Sequence, residues 1–234
     1  MIVIRVTNSL NHVNLAFQKT YMFALNQENS VANNFLAELR DTRLQQDRLR
    51  FRTNLKRLGH LLAYEISKTF SFESKVITTP LADTTIPLMS DDLVLIPIMR
   101  AALPFYEGFL EVFDQAGAGF IGAWRVEEGA DVEAVLNYQA APDLTGKTVI
   151  VIDPMLATGK SLVKTVDSLM SHGTPKSLHL ASVIAAPEGI DHLKKSLSMD
   201  YHLWTCAVDE KLNDQSYIVP GLGDAGDLSF GTKL

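Results

Sequence analysis

A single cysteine, Cys206, excludes an internal disulfide anywhere in this chain of 234 residues. Packing and hydrogen bonding must therefore hold the fold, and the thiol content suits a reducing cytoplasm, the expected location. Cys206 lies in the apolar stretch Leu203-Trp204-Thr205-Cys206-Ala207-Val208 and reads as a packing residue rather than a reactive thiol. Long hydrophobic runs are missing too. None approaches the about eighteen residues of a membrane span, and the opening Met1-Ile2-Val3-Ile4-Arg5 turns polar too soon for a secretory leader. Nor is there an excess of positive charge: 21 Lys and Arg against 27 Asp and Glu leave a net charge of −6. Such a surface repels nucleic acid and anionic membrane, so any phosphorylated ligand has to be met by local arginines. The histidines have no metal-ligand spacing, and His172, His179 and His192 read as surface or strand residues. No internal repeat or low-complexity segment interrupts the chain.

What is present is an ordinary globular balance, 47% hydrophobic and 21% charged, at a length suited to one α/β domain with an appendage. Residues 1–50 are rich in Asn and Gln, lack clear periodicity, and read as an N-terminal arm. From Phe51 onward the helical pattern is plain: Phe51, Leu55, Leu58, Leu62 and Ile66 fall on one face. A short strand is expected at Val76–Thr79, ended by Pro80. Continuous apolar strands are expected at Leu93–Ile98, Ala118–Trp124, Val149–Ile152, His179–Ala186 and Trp204–Val208, and a further one at Asn137–Ala140 beyond a polar crossing. Helices are expected over Phe105–Phe113 and Leu162–Met170, with a short one starting at Pro187. Buried strands alternating with helices imply a parallel sheet with right-handed crossovers. Ligands of such sheets sit beyond the carboxyl ends of the strands. Three candidate groups stand at predicted strand ends: Arg100, Arg125 and Asp153.

The segment from Thr148 to Ser161 carries the most chemistry. Four β-branched residues, Val149 to Ile152, lead to Asp153, a loop of small residues at Ala157-Thr158-Gly159, and then a helix. Such a loop aims backbone N–H groups and the positive end of the helix dipole at one point, which makes an anion seat. The Asp153 carboxylate beside it suits sugar hydroxyls or a metal-bound water. An NTPase P-loop would need glycine at residue 154, where Pro154 removes both a donor and the required backbone freedom. A second unusual stretch is Tyr217-Ile-Val-Pro-Gly-Leu-Gly-Asp-Ala-Gly-Asp227, in which three glycines and a proline expose backbone N–H and C=O groups able to match the edge of a planar base. The basic cluster Arg40, Arg43, Arg48, Arg50, Arg52, Lys56 and Arg57 has only Phe51 interleaved, and reads as a solvated helix face partnered by Asp41 and Asp47 rather than a nucleic-acid patch.

These strings resemble the uracil phosphoribosyltransferases, a type I phosphoribosyltransferase family. Asp153-Pro-Met-Leu-Ala-Thr-Gly159 is identical to that family's loop for phosphoribosyl diphosphate (PRPP). Pro97-Ile98-Met99-Arg100-Ala101-Ala102 is similar to its Pro-Ile-Leu-Arg-Ala-Gly, and the C-terminal glycine loop together with Phe230-Gly-Thr-Lys233 matches its uracil pocket. The resemblance covers residues 30–234, with Leu61-Leu-Ala-Tyr-Glu65 a weaker match. It implies a Rossmann-like parallel-sheet core with a small hood formed by terminal segments. Residues 1–50 would be an arm belonging to the hood or to a subunit contact, and residues 51–234 the core with its C-terminal uracil loop.

The same resemblance implies the site. Arg100, Arg125, Asp153, Pro154, Met155, Leu156, Ala157, Thr158, Gly159, Lys160, Ser161 and Asp224 would bind PRPP, and Ile218, Gly223, Asp224 and Ala225 would bind uracil. Asp153, Asp224 and Arg125 would be catalytic. Uracil and PRPP would give UMP and diphosphate in pyrimidine salvage, with Mg²⁺ arriving on the substrate, since no carboxylate cage for a resident metal is visible in the sequence. The family's habit implies a homodimer or higher oligomer and leaves open a GTP effector and a contribution of Arg40 to a neighbouring subunit's PRPP site. Three departures stand out: Lys160 and Ala102 replace family glycines, and Leu228 replaces a basic residue. Asn33-Asn34-Phe35 stands where many members have Lys-His-Lys. Lys160, Ala102 and Leu228 keep in view a PRPP- or UMP-sensing protein without turnover, while transfer to another base would have to alter the Ile218–Ala225 loop, which shows no such change.

Overall fold

The computed structural model describes residues 21–128 and 131–232, with side chains described outside 123–137. In chain order the elements are β1 (Tyr21–Ala24), α1 (Ala32–Arg40), α2 (Arg48–Ser67), β2 (Phe72–Thr78), β3 (Asp83–Met89) and β4 (Leu93–Met99). Then follow α3 (Leu103–Val112), β5 (Gly117–Ala118), β6 (Phe120–Glu128), β7 (Asp131–Ala140), β8 (Thr148–Ile152) and β9 (Met155–Leu156). The last are α4 (Lys160–Leu169), β10 (Ser177–Ala185), α5 (Pro187–Ser196), β11 (His202–Val208), β12 (Lys211–Leu212), β13 (Ile218–Val219) and α6 (Ala225–Phe230).

The main sheet runs β1-β11-β10-β8-β4-β6-β7, with β5 beside β4 and β9 beside β10. All its pairings are parallel except β6–β7. Strands that are apolar on both sides need cover on both faces, and the pleat divides them. Leu93, Leu95, Ile150 and Ile152 join the helices α2 and α3 in one core. Val94, Ile96, Val149 and Val151 join α4 and α5 in the other. The expected apolar face of α2 is fully sequestered: Phe51, Leu55, Leu58, Leu62 and Ile66 are at most 1% exposed. Asp47 caps that helix, its side chain accepting from the amides of Leu49 and Arg50.

Order matters more than count here. From β4 the chain moves outward to β6, then returns to lay β8 on the other side of β4 and continues outward through β10 and β11. The direction of travel reverses between β4 and β8, and at such a reversal the loops leaving the two strands diverge and open a crevice. Met99 and Ile152 end those strands, with Pro97 opposite Ile152 in register.

Several expectations are corrected. The polar crossing before Asn137 is a strand: β7 starts at Asp131 and returns antiparallel along β6, with a register shift between Gly122 and Ala123. Arg125 therefore does not end its strand, which continues to Glu128. The strand expected at Val76 runs from Phe72 and has an antiparallel mate in β3, forming an exposed hairpin. Of the expected N-terminal arm, residues 1–20 lie outside the described residues; within 21–50, β1 adds a parallel edge strand to β11 and α1 packs Leu36 and Leu39 into the core. The basic segment is not uniformly solvated. Asp41 does pair with Arg43, but Arg52 donates to Ser229 O and Arg40 binds Asp209.

Candidate active site

The loop after β8 is held on three sides. Asp153 N donates to Ala181 O, the amides of Val183 and Ile184 both donate to Pro154 O, and Met155–Leu156 pairs with β10 as β9. This zippering fixes Pro154, Met155 and Leu156 as structural rungs and delivers Ala157, Thr158 and Gly159 to the start of α4. Gly159 is the turn itself, with φ of +76°, a left-handed conformation that side chains resist. The first intrahelical bond of α4 runs from Val163 N to Gly159 O. The amides of Ser161 and Leu162 therefore precede the helical bonding pattern and can face an anion, while that of Lys160 lies 3.5 Å from Thr158 Oγ1.

Gly189, in the first turn of α5, is a part of this seat that the sequence reading missed. A Cβ there would lie 2.2 Å from Ala157 O. The backbone of α5 thus abuts the seat from behind, and only glycine permits that approach. Its one local signal, a glycine two residues after Pro187 beyond a strand, says nothing about a neighbour 32 residues away.

Across the switch point, Arg100 follows β4. Its guanidinium reaches Gly231 O at 3.2 Å and Asp227 Oδ1 at 3.5 Å, both long for a charge-assisted contact. Its Nε is buried and, among the described residues, has no partner. A buried donor left unpaired costs about 1–3 kcal/mol, and an anion in the crevice would relieve it. Ala102, fully buried, stands at the N-cap position of α3 and makes no side-chain capping bond. Arg125 lies on β6 opposite Ala134, while its side chain lies outside the described residues.

The C-terminal glycine loop comes to the same end of the sheet. Ile218 is buried in β13, which pairs with β12 in a small hairpin. Leu212 N donates to Glu188 Oε1, tying that hairpin to α5 beside Gly189. Gly223 has φ of +89°. Asp224 caps α6, its side chain accepting from Asp227 N at 2.9 Å, and Ala225 is buried. Gly226 faces Ala101, the residue after Arg100, so α6 lies directly over the exit of β4. Leu228 packs against Gly223 and the core, an apolar contact. The structure therefore brings together the tips of β4 and β8, the seat before α4, and the glycine loop. Lys160 is exposed at the first position of α4.

A strong electrostatic perturbation lies at the opposite end of the sheet. His179, near the start of β10, stacks on His202 at 4.8 Å and accepts a hydrogen bond from Trp204 Nε1. Burial, aided by the neighbouring His202, holds its imidazole down at about 3. Cys206 is fully buried and its thiol is pushed up by burial, which removes it from nucleophilic chemistry. Among the described residues no group of three or more His, Cys, Asp or Glu could hold a metal ion, and no helix is long and apolar enough to cross a membrane.

Comparison with known proteins agrees with this geometry. The family model described as uracil phosphoribosyltransferase matches residues 26–232. A uracil phosphoribosyltransferase of Porphyromonas gingivalis is 42% identical over 90% of this chain and 98% of its own length. One from Pyrococcus furiosus is 41% identical over 85% of each chain. A solved structure of a protein from Aquifex aeolicus superimposes with a TM-score of 0.81, at 33% identity, covering 91% of this chain and 99% of the other. Sequence and fold agree over nearly the whole length, and this chain belongs to the uracil phosphoribosyltransferase family.

Proposed function

We propose that the protein transfers the phosphoribosyl group of PRPP to N1 of uracil, giving UMP and diphosphate. The observation that carries the reading is the buried, unpartnered Nε of Arg100 at the switch point, one strand away from Asp153. It supplies a fixed cation where a diphosphate would lie, opposite a helix N-terminus that would take the 5′-phosphate. The C1′–oxygen bond to diphosphate breaks as the bond from N1 to C1′ forms, and the N1 proton leaves to solvent or to the departing diphosphate.

In this reading the amides and side chains of 157–161 hold the 5′-phosphate, and Asp153 orients the ribose hydroxyls. Arg100, with Arg125, offsets the charge that builds on the leaving group, a matter of position and electrostatics rather than covalent catalysis. PRPP would enter as its Mg²⁺ complex, with charge already partly neutralised. Ile218, Gly223, Asp224 and Ala225 would present the edge that selects uracil, with Asp224 also reaching toward PRPP. A homo-oligomer belongs to the same reading, since the β2–β3 hairpin exposes Phe72, Val76, Leu81 and Ile86. Sedimentation showing only monomer across the micromolar range would exclude it.

The test is product formation from PRPP and Mg²⁺ with uracil, run beside cytosine, hypoxanthine and orotate. UMP from uracil alone is expected. PRPP binding without diphosphate release from any base would replace the reading with a ligand-sensing protein. Asp224→Ala should abolish uracil turnover, leave PRPP binding largely intact, and remove the α6 cap at about 1 kcal/mol of stability; unchanged turnover would take Asp224 out of the site.

A further inference from the structure

Arg40 sits at the end of α1, far in sequence from every motif, yet it makes the shortest ion pair to a sequestered carboxylate in the described part of the molecule. Its Nη2 donates to Asp209 Oδ1 at 2.6 Å and its Nη1 to Asp209 Oδ2 at 2.9 Å, a two-pronged pair. The Asp209 side chain is 4% exposed and that of Arg40 25%. The pair also takes hold of one residue of the glycine loop from both sides. Arg40 Nη1 donates to Gly221 O at 3.0 Å, and Gly221 N donates to Asp209 Oδ2 at 2.8 Å. Asp209 is itself fixed at the sheet, its amide donating to Ala185 O at the end of β10.

A second grip lies one residue on. Gln45, buried between α1 and α2, has its amide end 3.1 Å from Leu39 O and 2.8 Å from Leu222 O, and both carbonyls are satisfied when the amide is oriented with its nitrogen toward them. Gly221 and Leu222 are the link between Ile218 and Gly223–Ala225. Gly221 has φ of +66°, and a Cβ on it would meet Ile218 O at 2.1 Å, so the link is a tight turn with no slack to absorb a shift. Side chains from 21–50 thus determine where a loop of 218–225 sits, and they do so through the backbone.

We infer that Arg40, Asp209 and Gln45 are positioning residues that set the affinity for the nucleobase by holding the 218–225 loop in register with the sheet, without touching either substrate. The role assigned to the loop rests on the proposed function; the clamp itself does not. Lysine keeps the charge at position 40 but cannot span both carboxylate oxygens and a carbonyl together. The loop would then be held less firmly against the sheet, and the donors and acceptors it presents to the base would be less well preorganised, which weakens binding.

The experiment uses the full chain with Arg40→Lys and Gln45→Ala, each with thermal melting as a folding control. Amide hydrogen exchange is followed in peptides covering 218–225 and 153–161, and steady-state kinetics are run with both substrates. The expected result is faster exchange in 218–225 alone, a KM for uracil raised about tenfold in Arg40→Lys, and a KM for PRPP within about twofold of the parent. Gln45→Ala, which leaves the ion pair in place, should move the same quantities less, and carries the test if Arg40→Lys does not fold. Unchanged exchange in 218–225, an equal rise in both KM values, or a fall in kcat alone would overturn the inference. If the parent makes no UMP, the proposed function fails and the exchange result still decides the clamp.

Discussion

Gly189→Ala is a substitution for which two physical effects predict opposite signs. Judged as a helical glycine in α5, its replacement by alanine should stabilise the protein by up to about 1 kcal/mol. Judged by its surroundings, the new methyl would sit 2.2 Å from Ala157 O, 3.1 Å from Ala157 C and 3.1 Å from Leu156 O. A carbon and an oxygen rest about 3.3–3.6 Å apart, so roughly 1 Å of separation must be found. All three obstructing atoms are backbone, and that backbone is pinned to β10 through Pro154 O, Leu156 O and the β9 pairing. Forced overpacking costs about 1–3 kcal/mol, which outweighs the propensity gain. Any relief must come from moving the segment that leads into Gly159, and a shift of that size in a phosphate seat is worth up to roughly 100-fold. Gly189→Ala is therefore expected to lower the melting temperature and weaken PRPP binding at least tenfold, with uracil recognition affected less. Gly117→Ala, where a Cβ meets nothing nearer than 3.6 Å, serves as the tolerated control. Calorimetric titration of PRPP with thermal melting decides the matter: a more stable Gly189→Ala protein with parental PRPP affinity would refute the claim that α5 supports the seat.

Two further outcomes follow from particular side chains. Burial holds His179 at about 3 against an ordinary 6.5, so the folded protein keeps it neutral while the unfolded chain takes up a proton. The stability this contributes is full above about 6.5 and is lost as pH falls toward 3, by up to about 1.4 kcal/mol per unit. Urea unfolding between pH 7.5 and 4.5 should show that fall, and His179→Gln should flatten it; an unchanged slope would remove His179 as the cause. Lys160 is a cation at the start of α4, where it opposes the helix dipole but would attract phosphate. Lys160→Ala should weaken PRPP binding a few-fold, the difference shrinking in high salt, while melting rises slightly; tighter PRPP binding in the variant would refute this.

The main-sheet strands flanking the site were legible because buried parallel strands are apolar on both faces and carry their own signature, as Leu93–Ile98 and Val149–Ile152 do. The helix from Phe51 was legible for the same reason, its apolar face having a period that chance rarely imitates. Harder to read were elements whose stability comes from a partner. The β2–β3 hairpin is exposed on both faces, so its residues show no burial pattern to follow. In the β6–β7 ribbon the second strand passed for a polar crossing.

The site divides along the same line. The acid and the small-residue loop after β8 form a local device, a strand leading into a helix, and neighbouring residues are enough to specify it. Sequence alone therefore determined the family, and marked the loop after β8 and the glycine loop as the candidates for its site. What only the tertiary structure decided was which distant groups support them: Gly189 behind Ala157, Arg40 and Gln45 on Gly221 and Leu222, and α6 over the exit of β4. Those contacts join residues up to 181 positions apart. Nothing in a local pattern encodes them, because their energy arises only once the sheet order has placed the two segments side by side.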